Sequence, residues 1–134
     1  MRVFVDSSVV LAACASSQGA SRELFHRARS GKVELVTALW CVAEVERNLP
    51  DMGKEAVRRW RRLCLDLKVL PTAVVLDRPL VFSAAKDRPV LISALASGSG
   101  CLLTLDRADF KRRLGRNAYA LAILTPGEWL AGQV

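Results

Sequence analysis

Short apolar runs of strand-forming residues recur along the chain and alternate with longer segments of helical period. The runs are rich in Val, Leu, Ile and Phe, are four or five residues long and are bounded by polar residues, which is typical of buried strands. This pattern predicts strands at residues 2–5, 33–37, 73–76, 101–105 and 121–124.

The segments between these runs carry the start and stop signals of helices. Serines follow the first strand as an N-terminal cap, Gly31 and Gly98 stand where helices should stop, and Pro50 interrupts the middle of the chain. The predicted helices cover residues 7–15, 21–30, 39–49, 51–67, 88–97, 109–114 and 126–132. Strands that alternate with helices predict an α/β fold, a three-layer sandwich with a central, mostly parallel sheet flanked by helices.

Length and composition fit one packed domain, which we expect to span residues 1–134. A chain of 134 residues, 51% hydrophobic and 25% charged, can bury about two thirds of its unfolded surface in a single core. The four cysteines are widely spaced without a CxxC pair, which favours reduced core residues in the cytoplasm over a zinc site. No apolar run is long enough to predict a membrane span.

The charge balance favours polyanionic partners. Lys and Arg number 20 against 13 Asp and Glu, which gives a net charge of +7 and a sequence pI of about 9.8. Such a surplus attracts nucleic acid at long range, although the same charge also serves solubility.

Acidic residues fall where a parallel sheet collects its chemistry. Asp6 and Asp106 directly follow predicted strands, and the carboxyl ends of such strands border the ligand crevice. Asp87 precedes a predicted helix, Glu44 lies in the helix after the second strand, and Asp109 comes three residues after Asp106. Each acid alone could cap a helix or face solvent.

Together the acids predict a site for a divalent cation. Carboxylates at the ends of buried strands are costly unless something neutralises them. His26, the single histidine, lies on an amphipathic helix, which favours a surface or packing role over a ligand role. Oxygen ligands without histidine or thiolate favour Mg²⁺ or Mn²⁺.

Four blocks, in order along almost the whole chain, resemble a PIN domain, the metal-dependent nuclease fold of VapC-type toxins. They are VFVDSSVVLAA, AEVERNL, KDRPVLISALASGSGCLLTLDRADF and AILTPGEWL. The third is the most specific, since it joins an acid, a helix, a glycine turn, a buried strand, a threonine and a second acid. Residues 71–86 follow no recognisable family pattern, so Asp87 is placed less firmly than the two strand aspartates.

The resemblance implies a role for several residues. Glu46 is the rival to Glu44, and because the two point to nearly opposite sides of a helix, only one can face the site. The implied set is an acidic quartet of Asp6, Glu44, Asp87 and Asp106 that holds Mg²⁺ or Mn²⁺, with Asp109 as an auxiliary ligand and Ser7 and Thr104 as polar supports.

The function that follows is a Mg²⁺- or Mn²⁺-dependent endoribonuclease that hydrolyses RNA phosphodiester bonds by activating water. The best candidates for RNA contacts are the basic residues after the last acid, Lys111, Arg112, Arg113 and Arg116. For residues 58–62, RRWRR, a solvated helix face with Trp60 in the core is the more economical interpretation.

The resemblance also implies partners and leaves alternatives open. PIN toxins are held by a cognate antitoxin protein and commonly form homodimers. A catalytically inactive PIN-like module that binds RNA or protein, or a housekeeping PIN nuclease that is not a toxin, would share these motifs. A dehalogenase-like phosphatase needs an aspartate where Ser8 stands, and a response-regulator receiver, which expects an acidic pair near its first strand, is a weaker match.

Overall fold

The structure is a computed structural model, which describes residues 1–73, 88–106, 117–118 and 121–133. Its strands form one six-stranded sheet in the order β3-β2-β1-β4-β6-β5. The strands are β1 (Arg2–Val5), β2 (Glu34–Ala38), β3 (Leu67–Leu70), β4 (Cys101–Leu103), β5 (Asn117–Ala118) and β6 (Leu121–Leu124). All neighbouring pairs are parallel except β5 and β6, which confirms the predicted mostly parallel sheet.

Helices connect the strands. They are α1 (Ser7–Ala15), α2 (Ala20–Arg29), α3 (Leu39–Asn48), α4 (Lys54–Leu63), α5 (Arg88–Ala96) and α6 (Pro126–Ala131), and two 3₁₀ helices cover Leu49–Met52 and Cys64–Asp66. No helix in the described ranges is long and apolar enough to cross a bilayer.

Alternation along the strands divides the core into two apolar layers. Val3 and Val5 of β1 pack with α1, α2, α4 and α6 on one face of the sheet. Phe4 faces the other side, where it packs with Leu91 and the rest of the apolar face of α5. These layers confirm the predicted three-layer sandwich.

The path of the chain places a switch point of the sheet between β1 and β4. From β1 the chain moves through α1 and α2 to β2, then on to β3, and returns across the sheet to β4 on the other side of β1. Ligands of open α/β sheets bind at such a switch point, at the carboxyl ends of the strands.

The helix predicted over residues 51–67 was wrong at both ends. Gly53 has φ +97°, a left-handed conformation that separates the first 3₁₀ helix from α4. At the other end, residues 67–70 form β3, which pairs with β2 in a register that joins Leu67 to Leu35. The sequence analysis missed β3 because Leu67 also continues the apolar stripe of the helix.

Other differences are smaller. The strand predicted at 101–105 ends at Leu103, and β5 was not predicted. The predicted strand at 73–76, beyond Ala73, and the predicted helix at 109–114 lie outside the described residues. All four cysteines are free, and only Cys64 is not buried.

Candidate active site

Asp6 links the end of β1 to the start of α1 and is held rigidly there. Its Oδ1 accepts hydrogen bonds from the backbone N–H of Ser8 at 3.1 Å and of Val9 at 3.3 Å, which caps the helix. The Ser8 hydroxyl donates to the same oxygen at 2.5 Å. Asp6 is only 5% exposed, so this carboxyl group is both buried and fixed in direction.

The loop after β4 is tied to the same helix end by two hydroxyl groups. The backbone N–H of Leu105 donates to Ser8 Oγ at 3.0 Å, and that of Asp106 donates to Thr104 Oγ1 at 3.0 Å. Ser8 Oγ and Thr104 Oγ1 are themselves 3.5 Å apart. Ser8 thus joins Asp6 to the Asp106 loop.

Asp6 and Asp106 follow neighbouring strands at one edge of the sheet. Val5 of β1 is in register with Leu103 of β4, and the Asp6 N–H donates to the Leu103 carbonyl at 3.2 Å. The Asp106 carboxylate contributes repulsion that raises the pKa of Asp6. The two acids therefore interact, and Asp106 is exposed whereas Asp6 is buried.

Burial shifts the protonation of Asp6 towards the neutral form. Loss of solvation raises its pKa from 3.8 to about 6, and repulsion by Asp106 adds to this, while hydrogen bonds from Ser8, Thr104 and the Val9 N–H oppose the rise. A negative charge at Asp6 is therefore costly at neutral pH. A bound cation would remove that cost.

Glu44 lies on α3, the helix that contacts both α1 and α5. It lies one turn after Cys41, a buried residue, and is half-buried, whereas Glu46 is exposed. The pKa of the Cys41 thiol is raised to about 11, mainly by burial and further by the Asp6 and Glu44 carboxylates. Both carboxylates thus lie near enough to Cys41 to affect its thiol, and Glu44, unlike Glu46, lies on the same side of α3 as Cys41.

Thr37 braces the floor of the site, a role that the sequence analysis missed. Its buried hydroxyl donates to the Val5 carbonyl at 2.7 Å and also hydrogen-bonds Cys41. The end of β2 is thereby fixed to the last residue of β1, next to Asp6.

The remaining predicted residues are placed differently or lie elsewhere. Ser7 was predicted as a polar support, but the hydrogen bonds given above are made by Ser8, and Ser7 is half-buried at the start of α1. Thr104, the other predicted polar support, is buried, and its hydroxyl accepts the Asp106 N–H. Asp87, Asp109 and the basic residues Lys111, Arg112, Arg113 and Arg116 lie outside the described residues.

The oxygen ligands at this edge of the sheet suit a hard cation, but the described residues do not complete its coordination. Within the described ranges, no three His, Cys, Asp or Glu side chains are grouped closely enough to hold a metal ion. Asp6 and Asp106 offer only oxygen atoms, and Asp6 is a buried carboxylate in need of neutralisation. Mg²⁺ typically keeps several waters and takes one or two carboxylates plus substrate phosphates, so this set fits it.

Comparison with known proteins points to one family. A family model described as PIN domain matches residues 2–108, which include β1, Asp6, Glu44 and the loop with Asp106. A search of curated proteins found no match.

Proposed function

This chain belongs to the PIN domain family, whose members are generally nucleases that use divalent metal ions, and we propose that it is a Mg²⁺- or Mn²⁺-dependent endoribonuclease. The observation that carries the proposal is the buried carboxyl group of Asp6, fixed at the switch point of the sheet beside Asp106. A structural cap has no need of a second acid on the neighbouring strand. A cation site does.

A divalent cation bound at this edge would supply Lewis-acid activation of water and neutralise charge at the scissile phosphate. Asp6 holds one ligand oxygen in a fixed direction at the N-terminus of α1. Asp106 extends from the neighbouring loop into solvent, where a substrate phosphate approaches. Ser8 and Thr104 keep the two loops together, and we expect both acids to face the same volume.

Protonation of Asp6 competes with cation binding. Since its pKa is about 6, the carboxyl group is largely neutral below that pH and must lose its proton before it can bind a metal ion. Activity should therefore rise through pH 6. Asp87 and Asp109 are proposed as the further ligands, as the family pattern implies.

The surface charge supports RNA as the substrate. The chain carries 20 basic residues against 13 acidic ones, and some of the acids belong to the site, so the rest of the surface is more basic than the net charge of +7 indicates. We place RNA phosphates on Lys111, Arg112, Arg113 and Arg116, which follow the last acid of the site.

The test is cleavage of a structured RNA with Mn²⁺, with EDTA as the metal-free control. We expect Asp6→Asn and Glu44→Gln each to lower the rate at least about 100-fold, since loss of a group that merely orients a metal ligand already costs 10- to 100-fold. Glu46→Gln is the matched control on the same helix and should cleave normally. Equal cleavage by Asp6→Asn and the unmodified protein would remove Asp6 from the mechanism.

We propose further that the protein is a cytoplasmic toxin of a type II toxin–antitoxin pair, that it forms a homodimer and that a cognate antitoxin covers its acidic edge. Exposed apolar side chains beside the site support a protein partner, namely Leu105 next to Asp106 and Leu39 and Trp40 at the start of α3. Induced expression with and without the neighbouring gene tests the toxin role. Harmless expression alone would favour a housekeeping nuclease.

A further inference from the structure

A small basic cleft lies at the opposite end of α1 from Asp6. Side chains of α2, the end of α4 and the 3₁₀ helix Cys64–Asp66 enclose about 90 Å³. A cleft of this size has room for a tetrahedral oxyanion. The charged residues that line it are Arg22, Arg29, Arg62 and Asp66, with His26 at the rim.

The cleft carries excess positive charge that the described protein leaves unpaired. None of Arg22, Arg29 and Arg62 forms an ion pair with a described residue. Three guanidinium groups against the single carboxylate of Asp66 leave a charge of +2 with His26 neutral. The guanidinium groups repel one another, and an anion bound between them would offset this repulsion.

One donor in the cleft lacks an acceptor. Arg22 Nη1 donates to the carbonyl of Ala13 at 2.9 Å, near the C-terminal end of α1. Its Nε is buried and, among the described residues, has no hydrogen-bond partner. Buried donors are satisfied in the great majority of native structures, so the unpaired Nε of Arg22, in a cleft that Arg29 and Arg62 also line, indicates an absent acceptor. The planar fork of arginine matches phosphate oxygens well.

We propose that this cleft binds a backbone phosphate of the RNA strand whose scissile bond lies at the Asp6 edge. The inference rests on the proposed function, because it takes RNA as the substrate. The nine residues of α1, about 14 Å along the helix axis, separate Asp6 from the end of α1 that Arg22 contacts.

The test is binding of a mixed-sequence single-stranded RNA of about 16 nucleotides, measured by fluorescence anisotropy in EDTA so that no cleavage occurs. The variant is Arg29→Gln/Arg62→Gln, which keeps Arg22 because Arg22 caps α1. The matched control is Arg58→Gln/Arg61→Gln, which removes the same charge from the exposed face of α4 outside the cleft.

We expect the cleft variant to bind RNA about tenfold more weakly than the control at low salt. We also expect the slope of log affinity against log salt to fall by about 0.7, the value for one phosphate of a single strand that is no longer neutralised. With Mn²⁺ present, KM should rise while kcat stays unchanged, because Asp6 and Asp106 are untouched.

Several results would overturn the proposal. One is equal RNA binding by the cleft variant and its control. Another is an NMR titration in which inorganic phosphate binds the cleft although the cleft variant binds RNA as tightly as its control. Tighter binding of acidic polypeptides than of RNA would identify a protein surface instead. If the protein did not cleave RNA but still bound it through the cleft, the proposed function would be refuted and the proposal for the cleft would stand. The two failures are therefore distinguishable.

Discussion

Replacing Asp6 with asparagine should stabilise the metal-free protein at neutral pH while it abolishes activity. Asparagine keeps the Oδ1 acceptor that caps α1 but removes the buried charge. The rise of the Asp6 pKa from 3.8 to about 6 corresponds to a cost of about 3 kcal/mol for the charged form in the folded protein. The variant should gain up to about that amount at pH 8.

The sign of this effect depends on pH. Below pH 3.8 the carboxyl group is protonated in both the folded and the unfolded chain, so it bears no charge cost. Between pH 3.8 and 6 the folded chain binds more protons than the unfolded one, and the free energy of unfolding falls as pH rises. Above pH 6 the whole cost is present, and the difference between the variant and the unmodified protein should be constant.

The assay is urea unfolding at pH steps from 4 to 8, with and without Mn²⁺. Asp51→Asn, a change at an exposed aspartate, is the control for the loss of one negative charge. Mn²⁺ at 100 times its Kd should add about 2.7 kcal/mol to the unmodified protein and much less to Asp6→Asn. A variant that is less stable than the unmodified protein at pH 8, or equally stabilised at pH 4 and 8, would refute the account of Asp6.

Three further substitutions test the hydroxyl groups around the site. Ser8→Ala removes donors and acceptors between Asp6 and the Asp106 loop, so cleavage should fall about 10- to 100-fold, whereas Ser7→Ala should have little effect. Thr104→Val leaves the N–H of Asp106 without its acceptor and should raise the pKa of Asp6, seen as a shift of the pH–rate profile to higher pH. Thr37→Val leaves the buried Val5 carbonyl unpaired and should cost about 1–3 kcal/mol in urea unfolding, and an unchanged midpoint would contradict this.

The strand pattern predicted that Asp6 and Asp106 each follow a buried strand, and the structure shows in addition that these two strands are neighbours. Both acids follow apolar runs, and parallel strands bring their carboxyl ends to one edge. The order of strands could not be predicted from the pattern alone, because it depends on the return of the chain from β3 to β4. That return makes β1 and β4 neighbours and places the switch point between them.

The pattern of apolar residues gave the wrong element where the same spacing fits both a helix and a strand. Leu67 continues the apolar period of α4 and also pairs with β2, and only the tertiary pairing decides in favour of β3. Ser8 and Thr37 were missed for a different reason. A serine or threonine has the same hydroxyl group in any sequence context, and its partners are known only when the backbone brings an acceptor within reach. The Asp6–Ser8 spacing, which is common at helix N-termini, was the one available clue.

The central claim is that carboxylates from distant parts of the chain share a divalent cation. A crystal of the protein grown with Mn²⁺ tests it most directly, through the anomalous signal of the ion. The account predicts Mn²⁺ at about 2.1 Å from an Asp6 oxygen, with Asp106 bound directly or through one water. Saturating Mn²⁺ that leaves Asp6 without an ion, or that binds only at a site away from β1 and β4, would contradict it.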